Sequence, residues 1–339
     1  MGAAGAESGT EVSLQAMKAV IVLVLASALS ATGQTAPAYQ YFRVGSAADV
    51  RVHPRASYAL MGGGRDLDDA FRWLCDRANG GDFLVLRAAG TDDYNPYLQK
   101  LCHLNSVATL VIPSREAAAD TRVTERISEA SAIFIAGGDQ ARYINFWART
   151  AVESALRNAV TRGIPVGGTS AGLAVLGQYI YSAQNDQPDD KDLTSDEALA
   201  DPFYRQVVIA DDLLSIPILR GVITDSHFDT RKREGRLLTF MARIRFTGTP
   251  HVLHGIGVDE KTAVLVERDG SALVIGKGEA DFFEISTQPE GFAPEVPLNL
   301  GPIRLDSIPS GGGFNLSMWR GDKPSTVLWV RDGEISVEH

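Results

Sequence analysis

Ser170 stands in Gly168-Thr169-Ser170-Ala171-Gly172, between the apolar runs Ile164-Pro165-Val166-Gly167 and Leu173-Ala174-Val175-Leu176. A serine with glycine two residues away on each side, where a strand turns into a helix, has the form of a nucleophile elbow. Side chains at the flanking positions would clash in so sharp a turn. The hydroxyl is thereby held at a helix N-terminus, where backbone N–H groups and the helix dipole favour a developing oxyanion. Gly137-Gly138-Asp139-Gln140 closes the preceding strand. Its glycines let backbone approach a ligand, and the N–H groups of Gly138 and Ala171 together would make an oxyanion hole.

A serine nucleophile needs a base, and the base an orienting acid. There are six histidines. His53 precedes the first glycine turn, His103 falls in a helix-like stretch, His251 and His254 in a connecting loop, and His339 at the last position. His227 differs: it closes the apolar strand Gly221-Val222-Ile223-Thr224 and is surrounded by carboxylates and arginines. The end of a parallel strand is where sites form in α/β sheets. For the acid, Asp259 and Glu260 follow the apolar Gly255-Ile256-Gly257-Val258, and only one of the two can face the imidazole in an extended segment. Asp225 is a third candidate, sharing a face with His227 if that segment is extended. The order serine, histidine, acid differs from that of the α/β-hydrolases. Just past His227, Arg231, Arg233 and Arg236 cluster with Lys232, a set suited to an anionic group of a substrate.

The elements that must position these residues read as short, uniformly apolar strands alternating with amphipathic helices. Strands are expected at residues 82–87, 107–112, 132–136 and 164–167, and helices at 66–77, 143–162 and 237–243. This pattern describes an α/β fold, a mostly parallel sheet with helices on both faces. Residues 182–204 are polar and acidic and read as a long surface loop or lid. Residues 262–267 and 272–275 pair as a hairpin about Arg268-Asp269-Gly270. The expected organisation is an N-terminal extension with a signal peptide (1–38), a catalytic α/β domain (39–267) and a β-rich C-terminal extension packed on the same domain (268–339).

Four ordered motifs carry a family resemblance. Gly-Gly-Asp-Gln, Gly-Gly-Thr-Ser-Ala-Gly, Asp-x-His-Phe-x-x-Arg-x-Arg-x-Gly-Arg and Gly-Ile-Gly-Val-Asp-Glu all fall within residues 60–266, and together they resemble the cyanophycinases of peptidase family S51. The resemblance implies a fold like the class I glutamine amidotransferases, with Ser170 as nucleophile, His227 as base and Glu260 as acid. Gln140, Asp225, Ser226, Arg231, Arg233 and Arg236 would line the substrate pocket; Ser226 stands where the family tends to have glutamine. The implied reaction is hydrolysis of cyanophycin, a poly-aspartate whose side chains carry arginine, to β-Asp-Arg dipeptides. Hydrolysis of short Asp-containing peptides, and non-catalytic capture of acidic peptides, are the alternatives. The resemblance is compatible with a homodimer.

Composition narrows the classes. With 339 residues, 45% hydrophobic and 22% charged, the chain can bury a sizeable core. A net charge of −10 argues against nucleic acid as a partner. Cys75 and Cys102 lack metal-ligand spacing with the histidines, and Gly62-Gly63-Gly64 lacks dinucleotide-binding spacing, so neither metal nor cofactor is expected. Met17-Lys18, an apolar stretch over 19–31 and small residues after it read as a secretory signal over about residues 17–36. Residues 1–16 read as extra sequence ahead of it. A secreted or periplasmic protein with no stable membrane span after processing is expected.

Overall fold

The computed structural model describes residues 38–248 and 250–338. The expected signal at residues 17–36 and the terminal His339 lie outside the described residues. A ten-stranded sheet has five parallel strands at its centre, in the spatial order Ser106–Val111, Asp82–Arg87, Ala132–Ile135, Val166–Thr169 and Ser57–Met61. Gln40–Gly45 covers one edge antiparallel to Ser106–Val111. On the other side Thr262–Glu267 runs antiparallel to Ser57–Met61 and continues into Ser271–Gly276.

The central strands are apolar along their whole length because both faces are covered. Alternate residues of Ser57–Met61 show it. Tyr58 and Leu60 enter one core with Trp147, Leu156 and Phe282, whereas Ala59 and Met61 enter another with Phe71, Leu74 and Phe134. Asp68–Arg77 and Tyr94–Leu101 form the second layer, and Cys75 and Cys102 are joined by a disulfide between them.

A second sheet of eight strands has Val222–Ser226 parallel to both Leu253–Val258 and Tyr179–Tyr181, with the remaining pairs antiparallel. The 13-residue helix Glu234–Phe246 packs on it through Leu237, Phe240 and Met241. Strands beyond residue 268 add to both sheets: Ser271–Gly276 and Gly313–Asn315 extend the first, while Glu279–Ile285 and Leu300–Pro309 extend the second.

Three expectations about elements are corrected. The helix expected over 143–162 is two, Gln140–Trp147 and Ala151–Thr161. Arg149 takes a left-handed φ of 58° and Thr150 caps the second helix by accepting from Val152 N–H, a local bond that ends one helix and starts another. Within 182–204, Ser195–Ala200 is helical behind a capping box of Thr194 and Glu197. His254 belongs to the strand Leu253–Val258, not a loop. Among the described residues no helix is long and apolar enough to cross a membrane.

Candidate active site

Val166–Thr169 ends at the carboxyl edge of the parallel strands, and the chain turns there at Ser170, with φ 53° and ψ −119°. Few non-glycine residues adopt such a conformation, and it persists only where neighbours enforce it. A Cβ on Gly168 would lie 2.4 Å from the Gly172 carbonyl oxygen, and one on Gly172 would lie 2.0 Å from that of Ile135. The glycine pair is therefore a steric requirement of the elbow. The Ser170 N–H donates to the Met61 carbonyl at 3.1 Å, fixing the turn to the neighbouring strand. The helix after it, Ala171–Ala174, is a single turn. So short a helix has little macrodipole, and what it can offer an anion is its individual N–H groups.

The base comes from the second sheet. His227 follows Val222–Ser226, and its N–H donates to the Gly62 carbonyl at 2.7 Å. Its Nε2 lies 2.8 Å from Ser170 Oγ, and its Nδ1 lies 2.6 Å from Glu260 Oε1. A carboxylate only accepts, so Nδ1 carries the proton and Nε2 is left free to take that of the serine. Of the two adjacent carboxylates, Glu260 faces the imidazole while Asp259 accepts from the Thr230 N–H at 2.8 Å.

Asp225 is not aligned with His227. The histidine turns at φ 50°, breaking the strand alternation, and Asp225 points instead at Arg236.

Sequence reasoning assigned nothing to Gly62-Gly63-Gly64 beyond the lack of a cofactor pattern. In the structure this turn is the wall of the triad. Gly63, at φ +102°, leaves room for the imidazole, since a Cβ there would sit 2.5 Å from His227 Cε1. A Cβ on Gly64 would meet Glu260 Oε2 at 2.9 Å. Three consecutive glycines were the signal, but only the adjacency of the two sheets reveals its meaning.

Burial pushes the His227 pKa below 6.5, Glu260 opposes this, and Arg231 and Arg233 reinforce it. The imidazole is thus neutral, as a base must be, over more of the pH range than a free histidine. Activity should fall with acid only once pH drops through an ionisation below 6.5. A pH–rate profile of kcat/KM checks this, and an acid limb centred above that value would contradict it.

A cavity of about 230 Å³ opens beside Ser170 and His227. Gly138, Ala171, Gln140, Asp225, Ser226, Arg231, Arg233 and Arg236, all expected at a site, are on its walls. Arg233 and Arg236 are buried, while Arg231 is exposed. Arg236 grips Asp225 with two bonds, Nε to Oδ2 at 2.7 Å and Nη2 to Oδ1 at 2.6 Å. Its guanidinium lies over the Tyr181 ring at 5.2 Å. Asp225 is therefore a partner for Arg236, with little left to offer a substrate guanidinium.

Removing Asp225 would strand a buried cation, which costs about 3–5 kcal/mol. Asp225→Ala should lose stability on that scale in urea unfolding, and an unchanged midpoint would contradict the reading.

Arg231 and Arg233 both donate to one oxygen, Asp192 Oδ2, at 2.7 and 2.6 Å. Burial alone would raise the Asp192 pKa, but Arg233 and Arg236 more than offset it, so the carboxyl is held below the ordinary range. Asp186 also lines the cavity and is pushed the other way, chiefly by burial. Sequence reasoning missed both. Their signal was the acidity of 182–204 set against a basic run elsewhere in an acidic chain.

A family model described as peptidase family S51 matches residues 60–274. A cyanophycinase of Trichormus variabilis (strain ATCC 29413 / PCC 7937) is 32% identical over 215 residues, covering 62% of this chain and 65% of that protein. One from Synechococcus elongatus is 29% identical over 255 residues, covering 72% and 73%. The aligned part thus spans somewhat less than two thirds of the first relative's length. Among solved structures, a peptidase from an acI-B1 Actinobacterium aligns with a TM-score of 0.49 at 16% identity, covering 78% of this chain and 98% of that one.

Proposed function

This chain belongs to peptidase family S51, and on that premise we propose that it is a serine exopeptidase of the cyanophycinase type, releasing β-Asp-Arg dipeptides from cyanophycin. The observation that carries the reading is the hydrogen-bonded series Ser170, His227 and Glu260 at the rim of an arginine-lined cavity.

His227 Nε2 takes the Ser170 proton as Oγ attacks a peptide carbonyl, while Glu260 stabilises the imidazolium that forms. The N–H groups of Gly138 and Ala171 receive the developing oxyanion, each worth about 2.7–4 kcal/mol of transition-state stabilisation. Collapse of the intermediate expels the leaving amine, which takes its proton from His227. Water then hydrolyses the acyl-enzyme by the same base.

The polymer carries both carboxylates and guanidinium groups, which suits a cavity holding Arg231 and Arg233 together with Asp186 and Asp192. Residues 17–36 are read as an export signal. The disulfide between Cys75 and Cys102 supports that reading, since such bonds persist in oxidising compartments.

The test is hydrolysis of purified cyanophycin granules with identification of the products. β-Asp-Arg as the main soluble product supports the proposal. Cleavage of Asp-X dipeptides with inert granules would make the protein an aspartyl dipeptidase, and binding of acidic peptides without cleavage would make it a capture protein.

A further inference from the structure

Beyond the arginine-lined cavity a second cleft, of about 260 Å³, lies among Arg65, Asp66, Asp68, Asp93, Tyr94 and Tyr97. It starts beside the triad. Arg65 and Asp66 directly follow Gly63 and Gly64, whose backbone packs against His227 and Glu260. Two residues of chain reach no further than about 7 Å. Asp66 is also approached by the side chain of Thr169, the residue immediately before Ser170.

The charges of the cleft are of two kinds. Asp66 accepts from the Tyr94 hydroxyl at 2.5 Å and Asp68 from that of Tyr97 at 2.8 Å, so these carboxylates hold the tyrosines in place. Arg65 and Asp93 are exposed, and neither has a hydrogen-bond or ion-pair partner among the described residues. One unpaired cation and one unpaired anion flank two fixed aromatic rings. An arginine fork is suited to a carboxylate, and a carboxylate beside a tyrosine face is suited to a guanidinium. A ligand filling the cleft should therefore carry one group of each sign on a short spacer.

We infer that this cleft binds the leaving-group unit of the substrate, a β-aspartyl-arginine residue, with Arg65 on its carboxylate and Asp93 on its guanidinium. The inference rests on the function proposed above. Side is argued from the imidazole: it lines the first cavity together with Gly138 and Ala171, where the acyl carbonyl sits, and the Gly63 backbone packed on it leads within two residues to Arg65 of the second cleft. The proton of His227 passes to the leaving nitrogen, so the leaving unit belongs beyond the imidazole.

The test compares two substrates with the same acyl part, one whose leaving amine is a β-Asp-Arg unit and one that releases p-nitroaniline. In Arg65→Ala, and separately in Asp93→Asn, the ratio of kcat/KM for the first substrate over the second should fall about tenfold, the scale of one charge-assisted hydrogen bond. Arg65→Lys should recover part of the ratio, because charge without the planar fork is a poorer match. An unchanged ratio in both variants would overturn the inference while leaving the peptidase reading intact. A wild-type protein that turns over neither substrate would overturn that reading and the subsite with it.

Discussion

Ser170→Ala is expected to lower kcat on the polymer by about 10⁶-fold, the scale on which serine hydrolases lose activity when the nucleophile is removed. Among the described residues the hydroxyl is hydrogen-bonded to His227 Nε2 alone, at 2.8 Å. Alanine at φ 53° carries the same backbone cost as serine, so the elbow is no more strained than before. The thermal midpoint should therefore change little, since the one bond lost is that to His227 Nε2, a ring that lines the open cavity. Binding should survive as well, because Arg231 and Arg233 do not touch the hydroxyl. Loss of turnover with retained fold and retained affinity is the signature, measured by kcat, thermal unfolding and calorimetry. Residual cleavage at a tenth of the wild-type rate would remove Ser170 from the mechanism.

Glu260→Gln is expected to cost about 10⁴-fold in kcat, for a reason that concerns one proton. The carboxylate accepts from Nδ1 at 2.6 Å and so fixes the tautomer whose Nε2 is free. A glutamine can turn its amide N–H towards Nδ1 instead, which moves the ring proton to Nε2, facing Ser170. The base is then lost without any change in packing. Glu260→Asp keeps the charge but withdraws it from the ring, so it should fall between wild type and the amide variant. KM should change little in either case, because Glu260 lies behind the imidazole and not on the wall of the first cavity. A loss in Glu260→Gln of less than tenfold would show that another group orients His227.

The parts of the site that were legible in the sequence are those set by contacts close along the chain. Gly168 is kept bare by the Gly172 carbonyl across one turn, so its meaning is local, whereas Gly172 makes room for the Ile135 carbonyl at the end of a neighbouring strand. His227 stood out because an apolar strand ends just before it, and the alternating apolar strands announced a sheet covered on both faces.

What escaped depends on contacts between distant segments. Gly63 and Gly64 were seen as glycines, but their purpose is set by an imidazole 164 residues beyond Gly63 (227 − 63) and a carboxylate 196 beyond Gly64 (260 − 64). Asp225 was a candidate acid because an extended strand would align it with His227, and the family resemblance placed it in the substrate pocket. The left-handed turn at His227, and an arginine one helical turn into Glu234–Phe246, send it elsewhere. Asp192 could be found only once the segment carrying it was folded over the arginines. Thr194 and Glu197 are a different matter, since a capping box is a local signal. The acidity of the surrounding stretch drew attention away from it.

The central claim is that Ser170 attacks as a nucleophile activated by His227, and covalent trapping tests it most directly. Incubation with a serine-reactive phosphonate, followed by intact-mass measurement and peptide mapping, should give one adduct per chain on Ser170. The adduct should be absent from Ser170→Ala and form far more slowly in His227→Ala. Full-rate polymer cleavage by a protein whose Ser170 stays unmodified, or an adduct mapped to another residue, would contradict the account.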